Sequence, residues 1–215
     1  MSETLNRRGA LAVSATAGIV GPLLFAAGFL VQPVFRRGEY NATTEVISDL
    51  EAGPGGWVQQ VNFVVFGLLL IAFAVGLHRC LRRSRWAVAG PAMLAGNGVG
   101  MVIAGVFPMR EDAAGLTYDP TGVHTINGAI FFLTIGAGLI VLSRRLTGDP
   151  GFRDLSGYLL ATGIALLALF VVLSVLTRPA EAPLHPWLGL AQRIALATWL
   201  LAILLLAARL RRQVT

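Results

Sequence analysis

A helix that crosses a membrane needs about 20 predominantly apolar residues, and this chain contains six such runs. They fall at 10–34, 57–77, 86–107, 125–143, 155–177 and 187–208. The first five hold no charged residue, and the sixth holds one, Arg193. Charged residues make up 13% of the chain, against roughly 25% in soluble domains, which excludes a soluble fold. The pattern predicts an all-α polytopic membrane helical bundle, six transmembrane helices in a single domain over 1–215. The first run follows Arg7 and Arg8, as a signal peptide would, and Ala26-Ala27-Gly28 is a passable cleavage site. Its uncharged stretch, 9–35, is nevertheless much longer than the roughly 7–15 residues of a signal h-region.

Arginine placement orients the bundle. With the N-terminus in the cytoplasm, twelve arginines fall in cytoplasmic segments and four in outer loops, and most of the acids lie outside. Both termini are therefore expected to be cytoplasmic, in the plasma membrane of a bacterium. All 17 basic residues are Arg, which reads as the mark of a GC-rich bacterial genome and not as chemistry. The net charge of +6 is split into short clusters between apolar runs, so no basic groove for nucleic acid can form. Cys80 is the only cysteine, which excludes an intramolecular disulfide and a cysteine metal cluster.

Each outward run ends near a proline: Gln32-Pro33, Phe107-Pro108 and Arg178-Pro179. Proline cannot continue the helical ladder and is a natural stop there. Gly96 and Gly100 form a small-xxx-small pair, and Gly128, Gly136 and Gly138 offer close backbone approach in the fourth run. Trp57, Trp86, Trp187 and Tyr158 lie near run ends, where aromatic rings favour the membrane interface.

The polar residues gather on the outer side. In the first outer loop, Val46, Ile47 and Leu50 share one helical face, which predicts a short interfacial helix ending near Gly53-Pro54-Gly55-Gly56. As a lid it would present Glu45, Ser48 and Asp49. Gln59 and Asn62 open the second run, three apart on one face, and His124 and Asn127 open the fourth in the same way. Gln192 and Arg193 lie within the sixth run. An arginine there costs about 2.5–3.5 kcal/mol to insert and usually faces the bundle interior. Snorkelling to the headgroups is the alternative. The expected inward partner is a loop carboxylate, with Asp49 first, then Glu45 and Asp119; an Asp held this way would stay ionised. His124 reads either as an interfacial histidine or as a general acid/base group. No His-x-x-x-His or Glu-x-x-His spacing exists, and no metal is expected. Phosphate loops, dinucleotide fingerprints and nucleophile elbows are lacking, so no cofactor is expected either.

Three stretches resemble a known family: Ile47-Ser48-Asp49-Leu50 with Trp57, Asn62 and Gly67; Gly105-Val106-Phe107-Pro108 with Gly122-Val123-His124; and Gly189-Leu190-Ala191-Gln192-Arg193 leading to Trp199. Together they resemble the bacterial six-span membrane family catalogued as domain of unknown function 998, over essentially the whole chain. The resemblance implies a compact six-helix membrane domain, directs interest to Asp49, His124 and Arg193, and implies no established activity.

Three functions are compatible with these residues. The first is a membrane protein with a polar pocket open to the extracytoplasmic leaflet, binding a lipid or other amphiphile. The second is an enzyme using Asp49 and His124 for acid/base work (hydrolysis, cyclisation or isomerisation) on a lipophilic substrate held by Arg193. The third is a small transporter; the membrane centre holds Asn97 and no carboxylate, which weighs against proton coupling. The pocket would draw on Glu45, Ser48, Gln59, Asn62, Asp119, Asn127 and Gln192. The expected partners are membrane lipids or a lipophilic small molecule, and the sequence leaves the oligomeric state open.

Overall fold

The structure, a computed structural model, describes residues 2–36, 38–81, 88–177 and 181–214. Six helices dominate it: α1 (Ser2–Phe35), α2 (Trp57–Cys80), α3 (Ala89–Val106), α4 (Val123–Leu146), α5 (Ser156–Val172) and α6 (Leu188–Arg212). All six are long and apolar enough to cross a membrane, which makes the chain a multi-pass membrane protein. A two-residue hairpin, β1 (Arg110–Glu111) and β2 (Thr117–Tyr118), decorates the loop between α3 and α4.

Each helix packs on its neighbours in sequence, and α6 closes the ring against α1. Because lipid tails are as apolar as leucine, such packing depends on close fit more than on hydrophobicity. Small residues provide the fit twice in the same way. A Cβ at Gly67 of α2 would lie 2.5 Å from Gly98 O of α3, and one at Gly163 of α5 would lie 2.7 Å from Gly136 O of α4. Gly96, expected at a contact, meets nothing within 4 Å; the helix presents Gly98 to its neighbour instead. The centre of the ring is filled by Trp199, fully buried, with Phe66 and Phe131 edge-on at 5.9 and 5.2 Å. The outward surface stays apolar, as lipid requires, through residues such as Leu23, Leu68, Ile130 and Ile164.

The α5–α6 seam is the thin one: α5 packs broadly on α4 and touches α6 over a far smaller interface. There α5 ends in a π-helical turn, Leu173–Thr177, a form that relaxes helix packing locally.

Both termini lie at one end of the bundle, where Arg211 donates to Ala12 O and Arg7 to Arg79 O. Arg209 pairs there with Asp154. The opposite end carries the first loop, and will be called the loop end. Pro33 does not stop α1, which runs two residues beyond it; a helix tolerates a proline in its last turn, where one lost bond matters least. α3 does stop at Val106, just before Phe107-Pro108. Arg37, Arg82, Arg83, Arg85, Trp86 and the Arg178-Pro179 pair lie outside the described residues. Trp57 and Trp187 stand exposed at the loop end, as interfacial anchors do.

Candidate functional site

The first loop folds inward. Tyr40, Ile47 and Leu50 are buried, and Ile47–Glu51 forms a tight turn of 3-10 helix lying across the loop end. The apolar spacing in this segment therefore makes a short helix, tighter than an α-helical lid. It is held from two sides. On the α1 side, Gln32 donates to Leu50 O at 3.1 Å and Arg36 to Ala52 O at 2.8 Å. On the α6 side, Ile47 N donates to Gln192 Oε1 at 2.7 Å and Leu190 N to Thr43 O at 3.0 Å. Gly189 is required there, because a Cβ would lie 2.2 Å from Glu45 O.

Arg193 completes this second attachment. It is 8% exposed and points inward, so it does not snorkel. Its partners differ from the carboxylates expected. It donates to the backbone oxygens of Ala42 at 2.7 Å, Glu45 at 2.9 Å and Gly189 at 3.1 Å, and to the Tyr40 hydroxyl, over whose ring it sits at 5.5 Å. The loop turns its carbonyls, not its acids, toward α6. Glu45 contributes its backbone oxygen while its side chain folds back onto Asn41 N. Asp49 feels the Arg193 charge without an ion pair, and its Oδ2 accepts from Val46 N at 3.0 Å.

Beneath the turn lies a cavity of about 300 Å³. Its wall is mainly apolar, with Phe63, Met101, Phe131, Phe132, Phe170 and Leu196. Five of the residues expected at a site line it: Ser48, Asp49, His124, Asn127 and Gln192. The other five do not. Gln59 and Asn62 bond each other, and Asn62 donates to Phe25 O, locking α2 to α1. Asp119 accepts from Thr121, Gly122 and Thr125 N–H groups and so fastens the start of α4. Slight burial opposes its ionisation, but those bonds prevail and hold its carboxyl at about 2. Glu45 serves the loop, and Arg193 borders a separate apolar groove between α1 and α6.

His124, on the cavity wall, is backed by an acid of the first loop that does not itself line the cavity. Glu51 has a fully buried side chain, and its Oε2 lies 3.3 Å from His124 Nδ1 and 3.3 Å from Met109 N. His124 Nδ1 is also 3.0 Å from Phe107 O. A carbonyl can only accept, so Nδ1 carries the hydrogen and, in the neutral ring, Nε2 is the free base. Burial pushes the Glu51 carboxyl up to about 8, with the Met109 N–H opposing and the Asp49 charge adding to the rise. It is therefore largely protonated at neutral pH. Burial also raises Asp49, to about 6, with the Val46 N–H bond opposing. Glu51 Oε1, Gln59 Nε2 and Gln32 Oε1 are buried without a hydrogen-bond partner among the described residues. No group of three metal-ligating side chains occurs among those residues.

The apolar helices and the loop-end cavity define a multi-pass membrane protein with a recess under a folded loop. The chain belongs to the family described as protein of unknown function (DUF998), which it matches over residues 19–209. No curated protein and no solved structure matches the chain.

Proposed function

We propose that the protein binds a lipid or other amphiphile in the loop-end cavity, drawing it from the extracytoplasmic leaflet of the plasma membrane. The observation that carries this reading is the cavity itself: mainly apolar walls with polar groups converging at the loop turn, the pattern of a small-molecule site. The thin α5–α6 seam, with its π-helical turn beside Ser174, gives an acyl chain a lateral way in from lipid. The aromatic plug around Trp199 favours a closed-ended recess over a conduit. The excess of arginine at the end holding both termini supports placing the cavity on the outer side.

Gly128 supplies the test. It lines the cavity, and a Cβ there would meet nothing within 4 Å, so Gly128→Leu fills the recess without forcing the helices apart. Mass spectrometry of lipids co-purifying with the wild type should find one intact amphiphile that Gly128→Leu lacks at unchanged melting temperature. Retention of that amphiphile by the folded variant would refute the reading.

A second reading, a membrane enzyme, is favoured by one observation: His124 lines the cavity with a buried carboxylic acid, Glu51, directly beside its ring. Membranes from cells lacking the protein would then accumulate a precursor, where a binding protein would leave its ligand chemically unaltered.

A further inference from the structure

We infer that the cavity selects amphiphiles whose head group donates hydrogen bonds and carries no negative charge. This deepens the binding reading above and rests on it. Among the described residues no arginine lines the cavity, and Arg193 and Arg36, which hold the loop, are committed elsewhere. Arg193 is spent on three backbone oxygens and Tyr40, and Arg36 on the carbonyls of Leu50 and Ala52. A phosphate or carboxylate entering the cavity would find no cation among the described lining residues, and anions bind where cationic donors are free to meet them. Among the described lining residues the ionisable group besides His124 is Asp49, an acid, which repels such a head group further.

The hydrogen-bond inventory points the same way. Asn127 donates its amide to Gly100 O at 2.9 Å, which leaves its Oδ1 as an acceptor. Asp49 engages Oδ2 with Val46 N, which leaves Oδ1. His124 engages Nδ1 with Phe107 O, which leaves Nε2. Three residues, two on α4 and one on the loop turn, thus each spend one side-chain atom on local structure and retain an acceptor on the same wall. Gln192 Nε2 and the hydroxyls of Ser48 and Thr125 add neutral groups. An apolar occupant would cover these acceptors and strip them of solvent without replacing it, so the occupant best fitted to them brings N–H or O–H groups. The volume, about 300 Å³, corresponds to that of roughly ten liquid waters, enough for a short segment of one chain with its head group.

Four probes with one ten-carbon chain separate the possibilities: decanol, decylammonium, decyl methyl ether and decyl phosphate. Binding to the full-length protein in phosphatidylcholine nanodiscs is measured by equilibrium dialysis. Uptake by Gly128→Leu nanodiscs is subtracted as simple partition. The alcohol and the ammonium should saturate, the ether should bind about 3–10-fold more weakly for want of a donor, and the phosphate at least about 10-fold more weakly. Asp49→Asn keeps an acceptor for Val46 N while removing the charge, and should weaken decylammonium about 10-fold with decanol little changed. Asn127→Leu should weaken both. Equal or tighter binding of the phosphate, or an ether as good as the alcohol, overturns the selectivity and leaves the binding reading standing. Failure of all four to saturate refutes both.

Discussion

Arg193 and His124 lie under the same first loop, and the contrast between their surroundings separates architecture from chemistry. Around Arg193 the guanidinium donates to three carbonyls and a phenol, each from the loop or from α6 itself. That set stabilises one conformation of the loop and offers nothing to a ligand. Around His124 the accounting is incomplete. Glu51 Oε1 has no partner among the described residues, and the imidazole keeps a basic nitrogen on a residue of the cavity wall. Buried polar groups left unpaired cost stability, and they persist where something else needs them. An arginine within a membrane helix is a reasonable first suspect for function. Here it is the clamp, and the quieter Glu51–His124 pair is the candidate reactive group.

The largest effect expected from this contrast is the loss of the clamp. Arg193→Leu orphans the carbonyl of Ala42, leaves that of Glu45 with the Tyr40 hydroxyl alone and takes a charged donor from that hydroxyl. Each buried unpaired group costs about 1–3 kcal/mol, which together lowers stability by about 3 kcal/mol or more. The melting temperature in detergent should fall by about 10 °C. Because Arg193 reaches carbonyls and not Asp49, the Arg193→Leu and Asp49→Leu losses should add to within about 0.5 kcal/mol. Coupling well above that would restore a direct ion pair between them.

A smaller effect is expected from the incomplete cluster, and it is visible only as a function of pH. The Glu51 carboxyl is raised from an ordinary 4.5 to about 8, so the folded protein holds a proton that the unfolded chain has released. Between those values the unfolded state binds fewer protons, and stability falls as pH rises. The contribution is fully present below about 4.5 and gone above about 8. Asp49, raised from 3.8 to about 6, acts in the same direction but is finished near pH 6. Melting temperature should therefore decline from pH 6 to 8 in the wild type, and Glu51→Gln should flatten most of that decline. An unchanged slope would show that Glu51 is not the group that titrates.

The six helices were readable because membrane crossing imposes a length and an apolar composition that local sequence displays directly. The loop turn was readable from the spacing of Val46, Ile47 and Leu50, although its 3-10 geometry was not. Partners across the fold were another matter. Nothing near Arg193 in sequence says that it will meet the backbone of Ala42 and Glu45, because a carbonyl carries no residue signature. Gly189 was quoted among the resembling stretches, and its role as a gap for the loop backbone appears only in three dimensions. Glu51 was hidden among the other loop acids. Its burial follows from the turn carrying Leu50 and Glu51 inward together, and its pairing with His124 depends on how α3 hands Phe107 and Met109 to α4. Gln59 and Asn62 carried the right spacing for a shared face, but that face was turned to α1.

The smallest effect is expected at His124, and there the two functional readings part. Glutamine is close to histidine in size, and its amide can donate to Phe107 O as Nδ1 does, so the fold and the cavity should survive His124→Gln. What disappears is the basic Nε2 nitrogen. If the protein binds and releases an amphiphile unaltered, losing one acceptor weakens binding about 3–10-fold, and complementation of a deletion strain should be nearly complete. If the protein is an enzyme working through that nitrogen, general acid–base catalysis typically contributes about 10²–10⁴-fold, and complementation should fail although bound amphiphile is still recovered. Glu51→Gln then divides the enzyme reading further. A Glu51 whose ionised form stabilises a protonated imidazole would fail in the same assay, whereas one that only orients the imidazole would keep most of its function, since the amide can accept from Nδ1 in its place. The binding reading expects both variants to grow like the wild type, with bound amphiphile within about ten-fold of normal.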